Sequence, residues 1–231
     1  LNLDFNKKIE IKNLSFSFKN TKKSVLKNIN LIINKGDRIG IVGESGSGKT
    51  TLIDLLLGLL NPTSGQILVD NISLKKYLNI NHFVRGNSPI SYVPQDYFIK
   101  EGTFIDNIVY SNNLKKIDLE QVFRCAGYAK INDFIENTKY SYETKISENG
   151  KDLSGGQKQR LCIARALYNK PEILILDEAT SALDQETTLK FIEELDQMPK
   201  KMTIIAVSHD IKSLKNFNKI IEINKGSINN L

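Results

Sequence analysis

Hydrophobic positions along the chain switch between a period of two and a period of three to four, and the switches outline an α/β protein. Ile9 and Ile11, then Leu14, Phe16 and Phe18, fall on alternate positions, as in a half-buried strand; a slip near Asn13 reads as a bulge. Asn20 to Ser24 is a polar turn, and Val25 to Ile33 is a second strand with Ile29, Leu31 and Ile33 on one face. Lys35-Gly36-Asp37 turns the chain into a short apolar run ending at Val42, which reads as a buried strand. Thr51 to Leu60 is a mostly apolar helix, stopped by Asn61-Pro62-Thr63-Ser64-Gly65, and Gln66 to Val69 is another strand, closed by Asp70-Asn71.

Ser91 to Val93 is a short strand ending at Pro94-Gln95. From Thr103 to Glu136 the period becomes helical, with Phe104/Ile108, Leu119/Val122/Phe123 and Ile131/Phe134/Ile135, and Asp118 stands where an N-cap belongs. Leu153-Ser154-Gly155-Gly156-Gln157 opens a helix that runs to about Asn169, with Pro171 as the stop. Ile173 to Leu176 is a wholly apolar strand ending in Asp177-Glu178. A helix near Gln185 to Gln197, a strand at Thr203 to Val207 followed by Ser208-His209-Asp210, and a final strand around Lys219 to Ile223 complete the pattern. The expectation is an α/β fold: a parallel-rich core, an antiparallel β layer and an inserted helical lobe. There is no sustained heptad, internal repeat or low-complexity tract.

Composition changes this picture little. The 231 residues suffice for one large domain, and 40% apolar with 25% charged residues is ordinary for a globular protein. The longest apolar stretch, Leu52 to Leu60, contains Asp54 and is too short to span a bilayer. Two cysteines, Cys125 and Cys162, lie far apart without metal-type spacing, as expected in a reducing, cytosolic setting. The net charge of +6 comes from lysines scattered among loops, with no Arg-rich block, so no specific nucleic-acid partner is expected. A chain that starts at Leu1 rather than Met reads as a piece of something longer.

The chemistry concentrates at Gly43-x-x-x-x-Gly48-Lys49-Thr50, between the buried strand and the apolar helix, where a P-loop belongs. Gly43, Gly46 and Gly48 let the backbone approach a phosphate, and successive N–H groups of Glu44, Ser45, Ser47 and Thr51 build an anion-binding concavity at a helix N-terminus. Lys49 supplies a point charge for the β- and γ-phosphates, and the Thr50 hydroxyl suits Mg²⁺. Asp177 is the acidic partner that such a loop needs for the metal. Glu178, one residue further, stands where a general base would polarise a water, and His209 ends a later strand in the same way. Gln95, also at a strand end, could sense the metal or the water. Ser154-Gly155-Gly156-Gln157 is a second anion-site pattern at a helix start, and its plain alternative is an N-cap serine with flexible glycines.

In this order, the motifs make nearly all of the chain resemble the nucleotide-binding domain of ABC transporters. Gly43 to Thr50 looks like Walker A, Gln95 like the Q-loop, Leu153 to Gln157 like the signature, Ile173 to Asp177 like Walker B, Ser181-Ala182-Leu183-Asp184 like the D-loop and His209 like the switch histidine. Phe18 falls where the family places its adenine-stacking aromatic, commonly a tyrosine. The resemblance implies a P-loop NTPase core with its β layer (about 9–90 and 160–231) and a helical subdomain (about 96–158). It also implies ATP and Mg²⁺ as cofactors, and a head-to-tail homodimer in which Ser154, Gly156 and Gln157 complete the partner's site. Asp177 to Asp184, Gly102 to Ile108 and Glu148-Asn149-Gly150 resemble exporters and lipid flippases, which implies a transmembrane domain fused upstream and a position on the cytoplasmic face of the cell membrane. Val207 to Asp210 looks more like an importer ATPase subunit. Another alternative is a soluble or DNA-repair-type ABC ATPase, although no coiled coil interrupts Leu52 to Asp152.

Overall fold

The computed structural model describes residues 4–19, 21, 23–85, 88–110, 117–178, 202–209 and 211–230. Strands β1 (Lys8–Phe16) and β2 (Leu26–Asn34) pair antiparallel. The pairing shifts between Ile11 and Leu14, and Asn13 has φ 47°, which is the bulge expected from the slipped alternation. After β3 (Arg38–Val42) and α1 (Lys49–Leu56), the chain returns to the first sheet with β4 (Ser64–Val69) and β5 (Ile72–Ser73), in the order β2-β1-β4-β5. Two sequence-based boundaries move here. Helix α1 starts at Lys49 and ends at Leu56, because Gly58 at φ 74° turns the chain and Leu59 bonds back to the Asp54 carbonyl, despite the apolar run to Leu60. A helix α2 (Leu74–Arg85), not expected from the sequence, follows the hairpin.

The chain then forms β6 (Ile90–Val93) and the helical lobe. This lobe contains the short β7 (Gly102–Thr103), α3 (Phe104–Val109), α4 (Leu119–Tyr128), α5 (Asn132–Glu136) and β8 (Lys145–Ile146). Asp118 caps α4, its carboxylate accepting from the Gln121 N–H at 2.9 Å. Helix α6 (Gly155–Tyr168) leads into β9 (Ile173–Asp177); β10 (Thr203–Val207), β11 (Lys219–Asn224) and β12 (Ser227–Asn230) follow. Strand β12 closes an antiparallel hairpin on β11 that the sequence pattern did not suggest. The second sheet has the order β12-β11-β3-β10-β9-β6, parallel from β11 to β6. The expected Gln185 to Gln197 helix lies outside the described residues.

The central strands β9 and β10 are buried at every position, and β3 from Ile39 to Val42, so these strands are almost wholly apolar. Ile39, Ile41, Ile173, Ile175, Ile205 and Val207 pack with α1 and the antiparallel sheet. Val42, Leu174, Leu176, Ile204 and Ala206 point the other way, into a core shared with α3, α4 and α6. Helix α6 packs against α3 and α4 on one side and β6 on the other, so the lobe and the core sheet share it.

Candidate active site

The register of the parallel strands gathers the site. Ile41 of β3 pairs with Val207 of β10, Val207 with Asp177 of β9, and Leu176 with Val93 of β6. The residues that leave these strands therefore emerge along one edge: Gly43 after Val42, His209 after Ser208, Glu178 after Asp177 and Gln95 after Pro94.

The loop after β3 has its shape fixed by glycine. Gly43 sits at φ 147°, and a Cβ there would lie 2.3 Å from the Ile223 carbonyl oxygen of β11. Gly48, the N-cap of α1 at φ 115°, would press a Cβ to 2.8 Å from Leu26 Cδ2. Lys49 is buried, and its Nζ donates to the carbonyls of Gly43 (2.8 Å) and Glu44 (2.9 Å), so the cation closes its own loop. Ser47 Oγ is buried with no hydrogen-bond partner among the described residues; Thr51 is buried and Thr50 is exposed. Glu44, Ser45, Gly46 and Ser47 line a cleft of about 540 Å³ together with Phe18, Lys23, Lys27 and Lys225. The Phe18 ring is 46% exposed and is braced edge-on against Phe16, with centroids 5.0 Å apart.

The acidic end is held by hydrogen bonds from neighbouring strands. Tyr92 of β6 donates its hydroxyl to Asp177 Oδ2 at 3.0 Å. Burial pushes the Asp177 carboxyl above the usual range; the Tyr92 hydroxyl and the Lys49 charge oppose this, while Glu178 and Asp54 add to it. The same contact, after burial, pushes the Tyr92 phenol up. Glu178 has φ 51°, a left-handed conformation unusual for a side chain of this size, and its N–H bonds to the Val207 carbonyl. Its carboxylate meets two residues that the sequence had marked for the metal or the water rather than for Glu178: His209 Nε2 lies 2.6 Å from Oε1, and Gln95 Nε2 donates to Oε2 at 2.7 Å.

The other anion pattern lies elsewhere. Ser154 caps α6 by accepting from the Gln157 N–H, and Gln157 Oε1 accepts from the Ser154 N–H at 2.8 Å, a complete capping box. The Gln157 carboxamide is thus committed to the helix start, whereas Ser154 is exposed and Gly156 half-buried. None of the three lines the Phe18 cleft. Ser181 to Asp184 lie outside the described residues. Sequence reasoning missed Tyr92, whose only signal is a polar handle on a strand beside β9, and the rim lysines, which come to the cleft from the β1–β2 connection (Lys23), from β2 (Lys27) and from the β11–β12 turn (Lys225).

The donor set fits a magnesium nucleotide. An unpartnered buried hydroxyl, a lysine over a glycine cradle and a carboxylate at a strand end offer donors to phosphate and an oxygen ligand to a hard cation.

The ABC transporter family model matches residues 26–181. The alpha-hemolysin translocation ATP-binding protein HlyB of Escherichia coli O157:H7 is 42% identical over 220 residues, 95% of this chain and 30% of that protein. The ABC transporter B family member 29, chloroplastic, of Arabidopsis thaliana is 39% identical over 223 residues, 96% of this chain and 34% of that protein. A bacterial Atm1-family ABC exporter solved with ATP bound superposes with a TM-score of 0.84 at 30% identity, over 98% of this chain and 39% of that one. The chain spans about a third of the length of the curated relatives it matches.

The raised Asp177 carboxyl makes a prediction with a definite sign. A folded-state value above the unfolded one means that the folded chain holds the proton longer, so this group's contribution to stability falls as pH rises through the raised value. Asp177→Asn removes the charge and keeps an acceptor for Tyr92. The variant should unfold at the same or a higher temperature than the parent at pH 7, and with less loss of stability between acidic and neutral pH. A clear drop in its melting temperature would mean that the ionised carboxylate stabilises the fold.

Proposed function

Since this chain belongs to the ABC transporter family, as one of its ATP-binding ATPase domains, we propose that it powers export or lipid flipping as the motor of a larger transporter. The observation that carries the reading is the Glu178 carboxylate, held between Gln95 and His209 one residue beyond Asp177. A hydrolase needs a base whose position does not depend on solvent, and two side chains from neighbouring strand ends supply that constraint. In this reading Phe18 stacks on adenine. The backbone N–H groups of Gly43 to Thr51 cradle the phosphates, with Lys49 on the β- and γ-phosphates. Thr50, Asp177 and the Gln95 carboxamide oxygen would hold Mg²⁺, since Gln95 Nε2 is taken by Glu178. When bound, the ion neutralises charge developing on the phosphate oxygens. Glu178 then takes the proton of the attacking water, with His209 holding the carboxylate and the water in place.

Ser154 and Gly156 stand at the exposed start of α6, outside the cleft of their own chain. They suit the γ-phosphate of a second copy, which makes a head-to-tail ATP sandwich of two nucleotide-binding domains the working form. In the relatives the matching region is about a third of the protein. A transmembrane domain on the same polypeptide, with this domain on the cytoplasmic face, is therefore the proposed setting. Among the described residues, no helix is long and apolar enough to cross a membrane. The names of HlyB and of the Atm1-family exporter favour export over import, despite the importer-like Val207 to Asp210. A helical subdomain around 96–158, inserted in a core of 9–90 and 160–231, is the proposed division of labour within the single domain.

Two measurements check this reading. Phe18→Ala should weaken ATP binding by about 1 kcal/mol or more, the scale of an aromatic stacking contact, while Phe18→Tyr stays nearly silent in the same titration. An equal loss in both would make Phe18 a packing residue. Glu178→Gln should bind Mg-ATP but cleave it ~10²–10⁴-fold more slowly, so that light scattering finds an ATP-dependent dimer at concentrations where the parent is monomeric. Adding Ser154→Arg should return that variant to monomer with ATP still bound. A Glu178→Gln protein that stays monomeric with nucleotide demonstrably bound rules out the role given to the α6 start.

A further inference from the structure

Arg165, in the last turn of α6 and at the opposite end of that helix from Ser154, is the most heavily bonded cation of the helical lobe among the described residues. Its Nε donates to the Asn107 carbonyl at 2.8 Å, one terminal nitrogen to the Phe98 carbonyl at 2.7 Å and the other to Asn107 Oδ1 at 3.0 Å. Its guanidinium plane lies 4.4 Å over the Tyr110 ring. Asn107 is wholly buried: its Nδ2 donates to the carbonyls of Lys100 (2.9 Å) and Thr103 (3.1 Å), and its Oδ1 also accepts from the Lys100 N–H. Residues 97–100 belong to no helix or strand, so these bonds define where that stretch runs. The stretch begins two residues after Gln95, whose carboxamide holds Glu178.

We propose that Arg165 is a positioning residue for ATP hydrolysis: it rivets the segment following Gln95 to α6, so that the placement of the helix carrying Ser154 and Gly156 is passed to the carboxamide that holds the catalytic carboxylate. The proposal rests on the hydrolytic reading above. A fork of three donors is what the task requires. One end grips a loop carbonyl, and the other grips the side chain and carbonyl of the residue that shapes that loop. A lysine ammonium presents one point and cannot span both. Burial depresses the basicity of this guanidinium, and a residue there for packing alone would not need to carry the charge inside. When α6 shifts, the bonds to Phe98 and Asn107 must move with it or break, and either outcome displaces Gln95.

A double-mutant cycle on ATP turnover by the purified domain at saturating Mg-ATP tests this. Arg165→Lys should lower kcat by about tenfold with KM for Mg-ATP changed by less than about twofold, the signature of a lost positioning contact rather than lost binding. In a Gln95→Ala background the same substitution should change kcat by less than about twofold, because the group it positions is gone. If Arg165→Lys fails to fold, Tyr110→Leu removes the half-exposed ring that lies under the guanidinium and meets Phe98 edge-on; its smaller loss of kcat should likewise vanish in the Gln95→Ala background. Losses that multiply independently in the cycle, or a rise in KM with kcat intact, overturn the proposal and leave Arg165 a structural residue. A parent domain with no turnover at all overturns the hydrolytic reading as well.

Discussion

The register of the parallel strands β3, β10, β9 and β6 is the constraint on which everything else depends. In a sheet buried on both faces, a slip of one residue would exchange Ile173 and Ile175 for Leu174 and Leu176 between two differently shaped cores. The packing therefore locks Ile41 to Val207, Val207 to Asp177 and Val93 to Leu176. The chemistry lies immediately past the locked pairs. Glu178 meets His209 and Gln95 because each is one or two residues beyond a strand whose end is fixed by apolar contacts deep in the protein. Hydrophobic burial, a non-directional force, sets distances to within a hydrogen bond in this way.

The polar groups of the site are held by groups already built into the fold. Lys49 donates to two carbonyls of its own loop, and Asp177 is steadied by Tyr92 and by the Lys49 charge while burial works against its ionised form. The Ser47 hydroxyl, buried without a partner among the described residues, is left receptive to phosphate. Stability is given up at the strand ends, where Glu178 takes a left-handed backbone, and is recovered in the two apolar cores.

Much of this was legible in the sequence, because the signals were local. The bulge at Asn13, the strand at Thr203–Val207, and the caps at Asp118 and Ser154 each follow from a few neighbouring residues. The meeting of Gln95, Glu178 and His209 was legible only as three strand ends carrying the right chemistry; their contact is a consequence of strand order, which periodicity does not encode. Strand β12 and helix α2 escaped notice. The first is a short polar strand that owes its place to pairing with β11, and the second has Leu74 and Tyr77 buried but a largely polar sequence beyond Leu78. The overlong α1 shows tertiary and turn chemistry overriding an apolar run, since Gly58 at positive φ ends a helix that Leu57, Leu59 and Leu60 appeared to extend. Tyr92 carried no more signal than a polar handle on a strand and Arg165 none, because each acts on residues 58 to 85 positions away.

In the proposed function, the loop after β3 and the carboxylates at the end of β9 form one site for a magnesium nucleotide. Thermal unfolding with and without Mg-ATP tests it most directly. At a hundredfold excess over Kd, binding to the folded state contributes about 2.7 kcal/mol, which in a domain of this size raises the melting temperature by about 5–10 °C. The rise is expected in the parent, with near-complete loss in Lys49→Ala. No shift in the parent, or an undiminished shift in Lys49→Ala, would contradict it.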